Sequence, residues 1–536
     1  LVANRGEIAV RIFRTCRELG IGAVAVTAPD DRGSLHARAA DETVEIESYL
    51  DAEEHVRAAR QAGADAIHPG YGFLAENAGF AATVVAAGLT WVGPPAAALR
   101  LGGDKLTAKR IAAEAGVPVV PTGEPDEIGY PLVVKAAAGG GGRGMRVVRG
   151  PEELEEALAA AAREASAAFG DGTVFCERYV ERPRHVEIQL LADTHGNVLA
   201  LGERDCSVQR RHQKVLEESP SPALDTALNP GLRAEMSEAA VAFARAIGYV
   251  SAGTAEFMLD GRDHWFLELN GRIQVEHPVT ELVTGRDLVA EQIRIAQGER
   301  LGVETTQGGH AVEVRLYAED PRTFLPQAGT VERLRLPVGV RVDAGVEEGD
   351  EVGTSYDPMI AKLIAYGSTR TEAFARLGDA LAETEVAGVT TNLPFLRWLV
   401  AHPVVQAGDA TTAFLTEYPP LSDPPLRLPD AAWRGGWRLN LPAAPPAPPP
   451  DVDSAAHDRA LGPGSGKLTA PMPGTVARVN VSAGERVEAR RPLVVLEAMK
   501  METPLIAPYD ATVKAVHVKE GDRVAGGTLL VELETS

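Results

Sequence analysis

The sequence predicts an α/β region followed by an α+β region, a proline-rich linker and a small all-β domain. Three observations support this prediction. Short apolar runs alternate with amphipathic stretches over the first hundred residues, prolines crowd residues 419–451, and a segment near the C-terminal end is repeated. A chain of 536 residues is too long for one hydrophobic core, so we expect several domains.

The first hundred residues have the pattern of βαβ units. The strand-like runs are GAVAV at 22–26, AIHPG at 66–70 and TWVG at 90–93, accompanied by amphipathic stretches such as GEIAVRIFRTCREL at 6–19. This alternation predicts a doubly wound parallel sheet. Strands and helices mix in an α+β manner from there to about residue 415.

Proline interrupts every periodicity in PPLSDPPLRLP at 419–429 and in LPAAPPAPPPD at 441–451. Proline at this density forms an extended, semi-rigid chain. This stretch is therefore predicted to be a tether between domains.

The C-terminal segment contains an internal repeat. APMPGTVARVNV begins at Ala470 and APYDATVKAVHV begins at Ala507, an offset of 37 residues without a gap, and about half of the aligned positions are identical. Two copies of a short β unit predict a small pseudo-symmetric sandwich or flattened barrel. Residues 498–506 are expected to be the turn between the halves, with Lys500 at its tip.

Composition excludes several classes of function. The net charge of −22 argues against a general nucleic-acid surface. Three widely separated cysteines argue against a disulfide framework or a zinc site and fit a reducing compartment. No apolar run approaches the length of a membrane span.

A glycine run at 139–144 follows the strand-like PLVVKA and ends in RGM. Glycines permit close approach of backbone N–H groups to phosphates. No Walker A motif is present, since no G-K-[ST] follows the run.

The stretch FLELNGRIQVEHPVTE at 266–281 alternates polar residues. Glu268 and Asn270 are two residues apart on a predicted strand and share a face. With Glu256 they offer the hard oxygen ligands that suit Mg²⁺. Arg272, Gln274 and Glu276 are expected to continue the same alternation, which would place all of them on one face.

These motifs, taken together, resemble those of a known family. Ala498-Met499-Lys500-Met501, with APMPG at 470–474, resembles the biotinyl domain of biotin-dependent carboxylases, in which biotin is attached to that lysine. Residues 1 to about 415 resemble biotin carboxylase, an ATP-grasp enzyme. The matching motifs are ANRGEIA at 3–9, HPGYGFLAEN at 68–77, GGGGRGM at 139–145, ERDCSVQRRHQK at 203–214, RIQVEHPVTE at 272–281 and AEDP at 318–321.

The resemblance implies five segments. They are an N-terminal α/β domain at 1–100, an ATP-grasp domain at 101–310 with a lid at about 118–180, a C-terminal carboxylase domain at 311–418, the linker at 419–465 and the biotinyl domain at 466–536.

The resemblance also implies the roles of individual residues. The nucleotide site would contain Lys105, Lys135, Gly140, Gly141, Gly142, Glu177, Val180, His185, Gln209, His212 and Met258. Glu256 and Glu268, with Asn270 beside them, would hold Mg²⁺ (or Mn²⁺). Bicarbonate and biotin would be bound by Lys214, Arg272, Gln274, Val275, Glu276, Arg315 and Tyr71. Glu276 would be the general base, Arg315 would stabilise the biotin enolate, and biotin would be attached to Lys500.

The implied activity is ATP- and bicarbonate-dependent carboxylation of biotin through carboxyphosphate. The carboxylated group would serve a carboxyltransferase (beta) subunit on another chain acting on acetyl-, propionyl- or methylcrotonyl-CoA. Biotin protein ligase would be a further partner, and homo-oligomers would form through the carboxylase domain of this cytoplasmic protein. Two alternatives stay open, namely another ATP-grasp carboxylate ligase with a lipoyl-like module, and a non-catalytic biotin carrier.

One departure from the family pattern bears on catalysis. Position 271 is glycine where the family commonly has threonine, and glycine would loosen a strand holding Arg272 and Glu276 in register.

Overall fold

The computed structural model describes residues 1–137, 145–169, 171–210, 213–224, 229–302, 308–353, 355–422, 467–470, 474–488, 491–498, 501–524 and 528–535. The chain divides into two compact units. The larger is formed by residues 1–324, 329–352 and 359–424, and the smaller contains residues 425–536. Within the described ranges, no helix is both long and apolar enough to cross a membrane.

The N-terminal region of the larger unit is an α/β layer with parallel pairing. Its elements are α1 (Gly6–Glu18), β1 (Val24–Thr27), α2 (Leu35–Ala39), β2 (Glu42–Glu45), α3 (Ala52–Gln61), β3 (Ala66–Ile67), α4 (Ala78–Ala86), β4 (Thr90–Trp91) and α5 (Ala96–Gly103). Strand β1 pairs in parallel with β2, and β3 pairs in parallel with β4. Val2 bridges the two pairs through Ala25 and His68, also in parallel. The predicted parallel arrangement is confirmed, with shorter strands than the sequence suggested.

A small antiparallel sheet follows. Its region contains α6 (Lys105–Glu114), α7 (Pro125–Ile128), β5 (Leu132–Ala136), β6 (Arg146–Val148), α8 (Leu154–Phe169) and β7 (Val174–Arg178). The sheet has the order β6-β5-β7. Leu154, Ala157 and Leu158 of α8 pack against Leu132 and Val134 of β5, because the apolar positions of the helix recur at helical spacing.

The rest of the larger unit is built on one long sheet. Its first elements are β8 (Arg184–Ala192), β9 (Val198–Arg210), β10 (Gln213–Ser219), α9 (Leu232–Ala246), β11 (Ser251–Asp260), β12 (Asp263–Asn270), α10 (His277–Thr284), α11 (Leu288–Ala296) and β13 (His310–Tyr317). They are followed by β14 (Gly329–Thr330), β15 (Arg333–Arg335), β16 (Arg341–Ala344), β17 (Glu351–Val352), β18 (Met359–Gly367), α12 (Arg370–Glu383), β19 (Glu385–Ala387), α13 (Leu393–Ala401), α14 (Pro403–Gln406) and α15 (Phe414–Glu417).

Eight antiparallel strands form this sheet in the order β12-β11-β8-β9-β10-β13-β18-β16. The domain boundary expected between residues 310 and 311 falls inside β13, so the sheet runs through it. Helix α10 packs across β9, β10, β13 and β18. The residue that precedes it, Glu276, therefore lies over the middle of the sheet.

The described residues of the smaller unit form eight strands in two sheets. They are β20 (Lys467–Thr469), β21 (Gly474–Val479), β22 (Arg486–Val487), β23 (Pro492–Ala498), β24 (Met501–Ile506), β25 (Ala511–Val516), β26 (Arg523–Val524) and β27 (Leu529–Thr535). The sheet orders are β20-β27-β25-β22 and β24-β23-β21-β26. Each sheet contains strands from both copies of the repeat, which confirms the predicted pseudo-symmetric sandwich.

Hydrogen bonds repeat with the same offset as the sequence. The N–H of Gly484 donates to the carbonyl of Val513 at 2.7 Å, and the N–H of Gly521 donates to the carbonyl of Val476 at 2.8 Å. Both glycines have positive φ, at 87° and 88°, which glycine adopts without steric cost. The two copies therefore exchange equivalent contacts.

The turn between the copies is shorter than the sequence suggested. Residues 501–506, expected to be part of a turn at 498–506, form β24, and Ala498 lies opposite Met501. The 37-residue offset explains the difference, because it aligns the end of β24 with β20.

Candidate active site

Two adjacent strands carry acidic residues at the centre of the larger unit. Glu256 on β11 lies directly opposite Glu268 on β12, and Thr254 lies opposite Asn270. Side chains two residues apart on a strand share a face, so Glu268 and Asn270 point to the same side. The amide of Asn270 donates to Glu256 Oε1 at 2.7 Å. The structure thus brings together the three residues expected to bind a metal.

Lys214 is the cation around which these acids gather. Its Nζ lies 2.9 Å from Glu256 Oε1 and 2.7 Å from Glu276 Oε1. It also contacts the carboxylate of Glu187 and, at 3.0 Å, the amide oxygen of Gln274. Burial lowers the pKa of Lys214, but the charges of Glu256 and Glu276 outweigh burial and the pKa is raised. Lys214 is therefore charged throughout the neutral pH range.

Glu276 lies between two cations. Its second oxygen, Oε2, accepts a hydrogen bond from Arg315 Nη2 at 2.9 Å, opposite the contact with Lys214. Burial raises the pKa of Glu276, but Lys214 and Arg315 outweigh it and hold the pKa well below its usual range. A carboxylate held in this way is a weak base until an incoming anion shares its two cations.

The segment that leads to Glu276 is a loop, which corrects the expected strand alternation. Strand β12 ends at Asn270, and α10 begins at His277 with Pro278 in its first turn. Proline is favoured in that first turn, where its missing N–H costs nothing, so the chain changes from strand to helix over 271–276. Arg272 turns back to donate to Asn270 Oδ1 at 3.0 Å, while Gln274 Nε2 lies 3.1 Å from Glu256 Oε1. The side chains still converge, through the loop rather than through a shared strand face.

A second cluster of charges lies on the small sheet. Lys135 Nζ lies 2.5 Å from Oε2 of Glu177, whose side chain is fully buried, and Lys109 contacts the other oxygen, Oε1. Burial, followed by the nearby charge of Lys105, lowers the pKa of Lys135 to about 8. Glu268 also acts electrostatically on Lys135, so this cluster lies next to the acidic strands.

Four of the remaining nucleotide-site candidates lie on or beside strands of the two sheets. His185 and Met258 are direct neighbours on β8 and β11, and Nε2 of His185 lies 3.0 Å from Glu256 Oε2. Gln209 lies opposite Lys214 and donates to the carbonyl of Cys206 at 2.9 Å. Val180 follows the end of β7.

Tyr71, expected near biotin, connects to the loop through a chain of polar contacts. Its hydroxyl donates to the carboxylate of Glu7, which is buried. Lys362 lies 3.2 Å from Oε1 of Glu7 and donates to the carbonyl oxygen of Val275 at 2.7 Å. Tyr71 and Val275 are thus two ends of one network.

Several candidates lie outside the described residues. These are Gly140, Gly141, Gly142, His212 and Lys500. The strands that flank Lys500 are described, and they pair up to Ala498 and Met501.

Three buried residues of the site were not predicted from the sequence. Glu187 contacts Lys214 and pairs with the fully buried Arg204 at 3.0 Å. Glu217 pairs with Arg315 at 2.5 Å. Lys109 follows Lys105 by one helical turn, and Glu187 follows His185 by two residues on one strand face, so both spacings contained a signal. Glu217 had none, because its partner Arg315 lies on β13, which pairs with β10 in the sheet but is far from it in the sequence.

The donor set fits a hard divalent cation. The cross-strand carboxylates Glu256 and Glu268 face each other, and burial followed by the charge of Glu256 raises the pKa of Glu268. Glu256 is buried and Glu268 is partly buried, and the repulsion between their negative charges is reduced when a cation lies between them. Together with the Asn270 amide they are oxygen ligands of the kind that Mg²⁺ or Mn²⁺ prefers.

Comparison with protein families gives four matches along the chain. Residues 1–99 match the biotin carboxylase N-terminal domain, residues 104–304 the ATP-binding domain of the carbamoyl-phosphate synthase L chain, and residues 313–417 the biotin carboxylase C-terminal domain. Residues 466–533 match the family described as biotin-requiring enzyme.

Individual relatives agree with these matches. The biotin carboxylase of Halalkalibacterium halodurans is 49% identical over 442 residues, which cover 78% of this chain and 97% of that protein. The mitochondrial methylcrotonoyl-CoA carboxylase subunit alpha of Oryza sativa subsp. japonica is also 49% identical, over 446 residues. That alignment covers 78% of this chain and 60% of the rice subunit, so the match spans less than two thirds of it.

A solved structure shows the same fold in the larger unit. It is the biotin carboxylase domain dimer of Hydrogenobacter thermophilus 2-oxoglutarate carboxylase in complex with MgADP, ADP and bicarbonate. The TM-score is 0.75 at 44% identity, over 78% of this chain and 97% of that one. This chain therefore belongs to the biotin carboxylase family and carries a biotin-requiring enzyme domain on the same polypeptide.

Proposed function

We propose that this chain uses ATP and bicarbonate to carboxylate biotin attached to its own Lys500. The product would be passed to a carboxyltransferase subunit on a separate chain that acts on an acyl-CoA. The observation that carries the proposal is the position of Glu276, a buried carboxylate held between Lys214 and Arg315 beside the acidic pair Glu256 and Glu268.

The first step is activation of bicarbonate. The anion would enter between Lys214, Arg272 and the Gln274 amide, and it would take over part of the positive charge that now faces Glu276. Glu276 then becomes a stronger base and accepts the proton of the bicarbonate hydroxyl. The oxygen so exposed forms a bond to the γ-phosphorus while the bond from that phosphorus to the ADP oxygen breaks, which gives carboxyphosphate and ADP.

Cations offset the charge that develops on the phosphoryl group. Lys105 and Lys135 would carry out this task, and Glu256 and Glu268, with Asn270, would hold Mg²⁺ or Mn²⁺. The metal supplies charge neutralisation at the phosphate oxygens. Lys135 now pairs with Glu177, so it would exchange that carboxylate for phosphate when the nucleotide binds.

Biotin would supply a ring nitrogen that bonds to CO₂ once carboxyphosphate has broken down to CO₂ and phosphate, and the phosphate would take the proton that this nitrogen loses. Arg315 would then face a ring oxygen of biotin, and Tyr71 would lie beside the ring. Lys500 lies in sequence between Ala498 and Met501, which pair across β23 and β24, and biotin attached there would form a short arm able to move between two active sites.

The wider assignment rests on the relatives. The rice protein is named as an alpha subunit, and the Hydrogenobacter structure is described as a dimer. We propose that this chain works with a carboxyltransferase (beta) subunit, receives biotin from biotin protein ligase, and forms homo-oligomers through its carboxylase region. Three buried free cysteines suit a reducing compartment, and we propose a cytoplasmic location.

The test is ADP release with ATP and Mg²⁺, with and without bicarbonate and free biotin. We expect bicarbonate and biotin together to raise the rate, and Glu276→Gln to lower it by about 100-fold or more. Binding of MgATP to the variant, measured by calorimetry, controls for misfolding and should stay near the wild-type value. Turnover near that of wild type in Glu276→Gln would overturn the role of this base.

Detection of biotin is a separate test of the smaller unit. Streptavidin should bind the expressed chain and should fail to bind Lys500→Arg. Wild-type protein without streptavidin binding, expressed together with a biotin protein ligase, would contradict the carrier assignment.

A further inference from the structure

Two carboxylates are buried side by side behind the proposed base. Glu217 on β10 and Glu313 on β13 are direct cross-strand partners, and neither side chain is exposed to solvent. Directly opposite residues in an antiparallel pair have Cβ atoms about 5 Å apart. Arg315 follows Glu313 by two residues and shares its face of the strand.

One guanidinium nitrogen serves both Glu217 and the proposed base. Nη2 of Arg315 lies 2.5 Å from Oε1 of Glu217 and 2.9 Å from Oε2 of Glu276. Arg315 therefore divides its positive charge between two carboxylates. If one of them were neutral, the other would experience more of that charge and would become a weaker base.

Glu313 has no such partner. Neither of its oxygens has a hydrogen-bond partner in the part of the chain that the structure describes. The nearest cation from β18, Lys362, is already engaged by the carbonyl of Val275 at 2.7 Å and by Glu7 at 3.2 Å. An unpaired, fully buried carboxylate is costly in its ionised form.

Charged groups from every neighbouring element face this pair. They are Arg315 on β13, Glu276 at the start of α10, Lys362 on β18 and Lys214 on β10, and on β9 the pKa of the buried Cys206 thiol is raised by burial, by Glu276 and by Glu217. Burial raises the pKa of both Glu217 and Glu313. Arg315 offsets part of this rise for Glu217 and Lys362 offsets part of it for Glu313, while Glu276 raises the pKa of both and Glu217 also raises that of Glu313. These directions agree with the geometry.

We infer that Glu217 and Glu313 hold one proton between them, and that this singly protonated pair positions Arg315 so that Glu276 stays basic enough to deprotonate bicarbonate. The inference rests on the proposed function of Glu276. The pair does not touch substrate and acts only through Arg315. Loss of the shared proton would add a negative charge beside Arg315. Loss of the charge on Glu217 would leave Glu276 as the only one of these two carboxylates that pairs with Arg315.

The first experiment is a comparison of pH profiles of bicarbonate-dependent kcat. Glu217→Gln keeps the shape and removes the charge, so we expect kcat to fall by about tenfold and the acidic limb to move to lower pH. The KM for MgATP should stay within about twofold, since Lys135 pairs with Glu177 while Glu217 pairs with Arg315. In Glu313→Gln, Glu217 has no second carboxylate with which to share a proton, so no shared proton can be lost. The alkaline limb of its pH profile should therefore move to higher pH.

Glu218→Gln is the matched control. Glu218 is the next residue on β10, is also buried, and pairs on the opposite face with His310 at 2.8 Å and Arg370 at 2.6 Å. We expect this variant to lose stability without any shift of either limb. A limb shift as large as that of Glu217→Gln would mean that general loss of buried charge, rather than Arg315, sets the profile.

The second experiment does not depend on turnover. Difference infrared spectra of wild type should contain the carbonyl stretch of a protonated carboxylic acid, and Glu313→Gln and Glu217→Gln should each remove or shift it. Because the folded pair keeps a proton that the unfolded chain loses above about pH 4.5, the contribution of this pair to stability should fall as pH rises from there. Relative to wild type, Glu313→Gln should therefore gain in Tm as pH rises from 5 to 8.

These readouts separate the two proposals. No protonated-acid band, together with unchanged limbs and the same slope of Tm in both variants, would overturn the shared proton. Glu276→Gln with normal turnover would overturn the proposed base while the infrared result still stood.

Discussion

The carboxylate of Glu76 lies 3.1 Å from Nε of Arg272, and so ties the N-terminal region to the loop before Glu276. The other oxygen of Glu76 accepts the backbone N–H of Gly271 at 2.8 Å. Glu76 thereby holds both the main chain at Gly271 and the side chain of Arg272. These residues follow the end of β12 and so lack the hydrogen bonds of a strand pair.

Glu76→Ala should therefore impair bicarbonate binding more than stability. Glu76 is 44% exposed, so solvent screens its pairing with Arg272 and the loss of folding free energy should be below about 1 kcal/mol. We expect the KM for bicarbonate to rise several-fold while the KM for MgATP stays constant. Steady-state kinetics with each substrate varied will check this, with the exposed Glu42→Ala as control. Equal changes in both KM values would contradict a local role.

Gly271→Thr restores the residue common in the family and tests why glycine is tolerated here. A Cβ at 271 would lie 2.7 Å from Cδ2 of Leu99, the flexible end of a buried side chain, and 3.7 Å from Pro94. We expect destabilisation of about 1 kcal/mol from overpacking. Leu99→Val in the same chain should recover much of that loss, so urea unfolding of the double-mutant cycle should give a favourable coupling energy. If the two substitutions change the free energy of unfolding additively, the contact between residue 271 and Leu99 does not matter.

Lys109→Met should weaken nucleotide binding. Glu177 is fully buried and is shared by Lys109 and Lys135, so removal of Lys109 leaves Lys135 as its sole lysine partner among the described residues. Lys135 is then less free to turn towards phosphate. We expect the KM for MgATP to rise by about tenfold and Lys109→Arg to recover most of it. Arg110→Met, on the exposed side of the same helix, should leave the KM unchanged.

Acid should destabilise the fold through buried neutral histidines. Burial lowers the pKa of His68 to about 3, and its ring accepts the N–H of Gly70 and contacts Gln292. Above about pH 6.5 the folded and unfolded states are both neutral at this residue. As pH falls below that value only the unfolded state gains a proton, so stability is lost down to about pH 3.

The expected loss from His68 between pH 7 and pH 5 is about 2 kcal/mol. Urea unfolding at the two pH values measures it, and His68→Gln should reduce the difference. An unchanged pH dependence in that variant would show that other groups cause the acid sensitivity.

The fold could be predicted because its signals are local or periodic. Apolar runs predicted β1 and β3 of the parallel layer, and the offset of 37 residues predicted the two-sheet sandwich. The loop at 271–276 was wrongly expected to be a strand, because Arg272, Gln274 and Glu276 alternate as strand residues do. Proline at position 278 was the competing signal, since it favours a helix start there.

The site was less predictable where two partners lie on strands that pair in the sheet but are far apart in the sequence. Glu217 meets Arg315, and Glu313 meets Glu217, only through the register of β10 against β13. A single sequence contains no information on that register. Lys362 is a similar case, because its contact with the Val275 carbonyl depends on how α10 lies on the sheet.

The interlaced strands of the smaller unit also suggest how such a domain arises. Neither copy of the repeat contains a complete sheet, because β20 and β22 of the first copy need β25 and β27 of the second. An ancestral single copy would have been stable only as a swapped homodimer, and duplication with fusion would have converted that dimer into one chain. In that history, the join between the two copies lies close to the paired residues Ala498 and Met501, and Lys500, the proposed site of biotin attachment, lies between them in sequence.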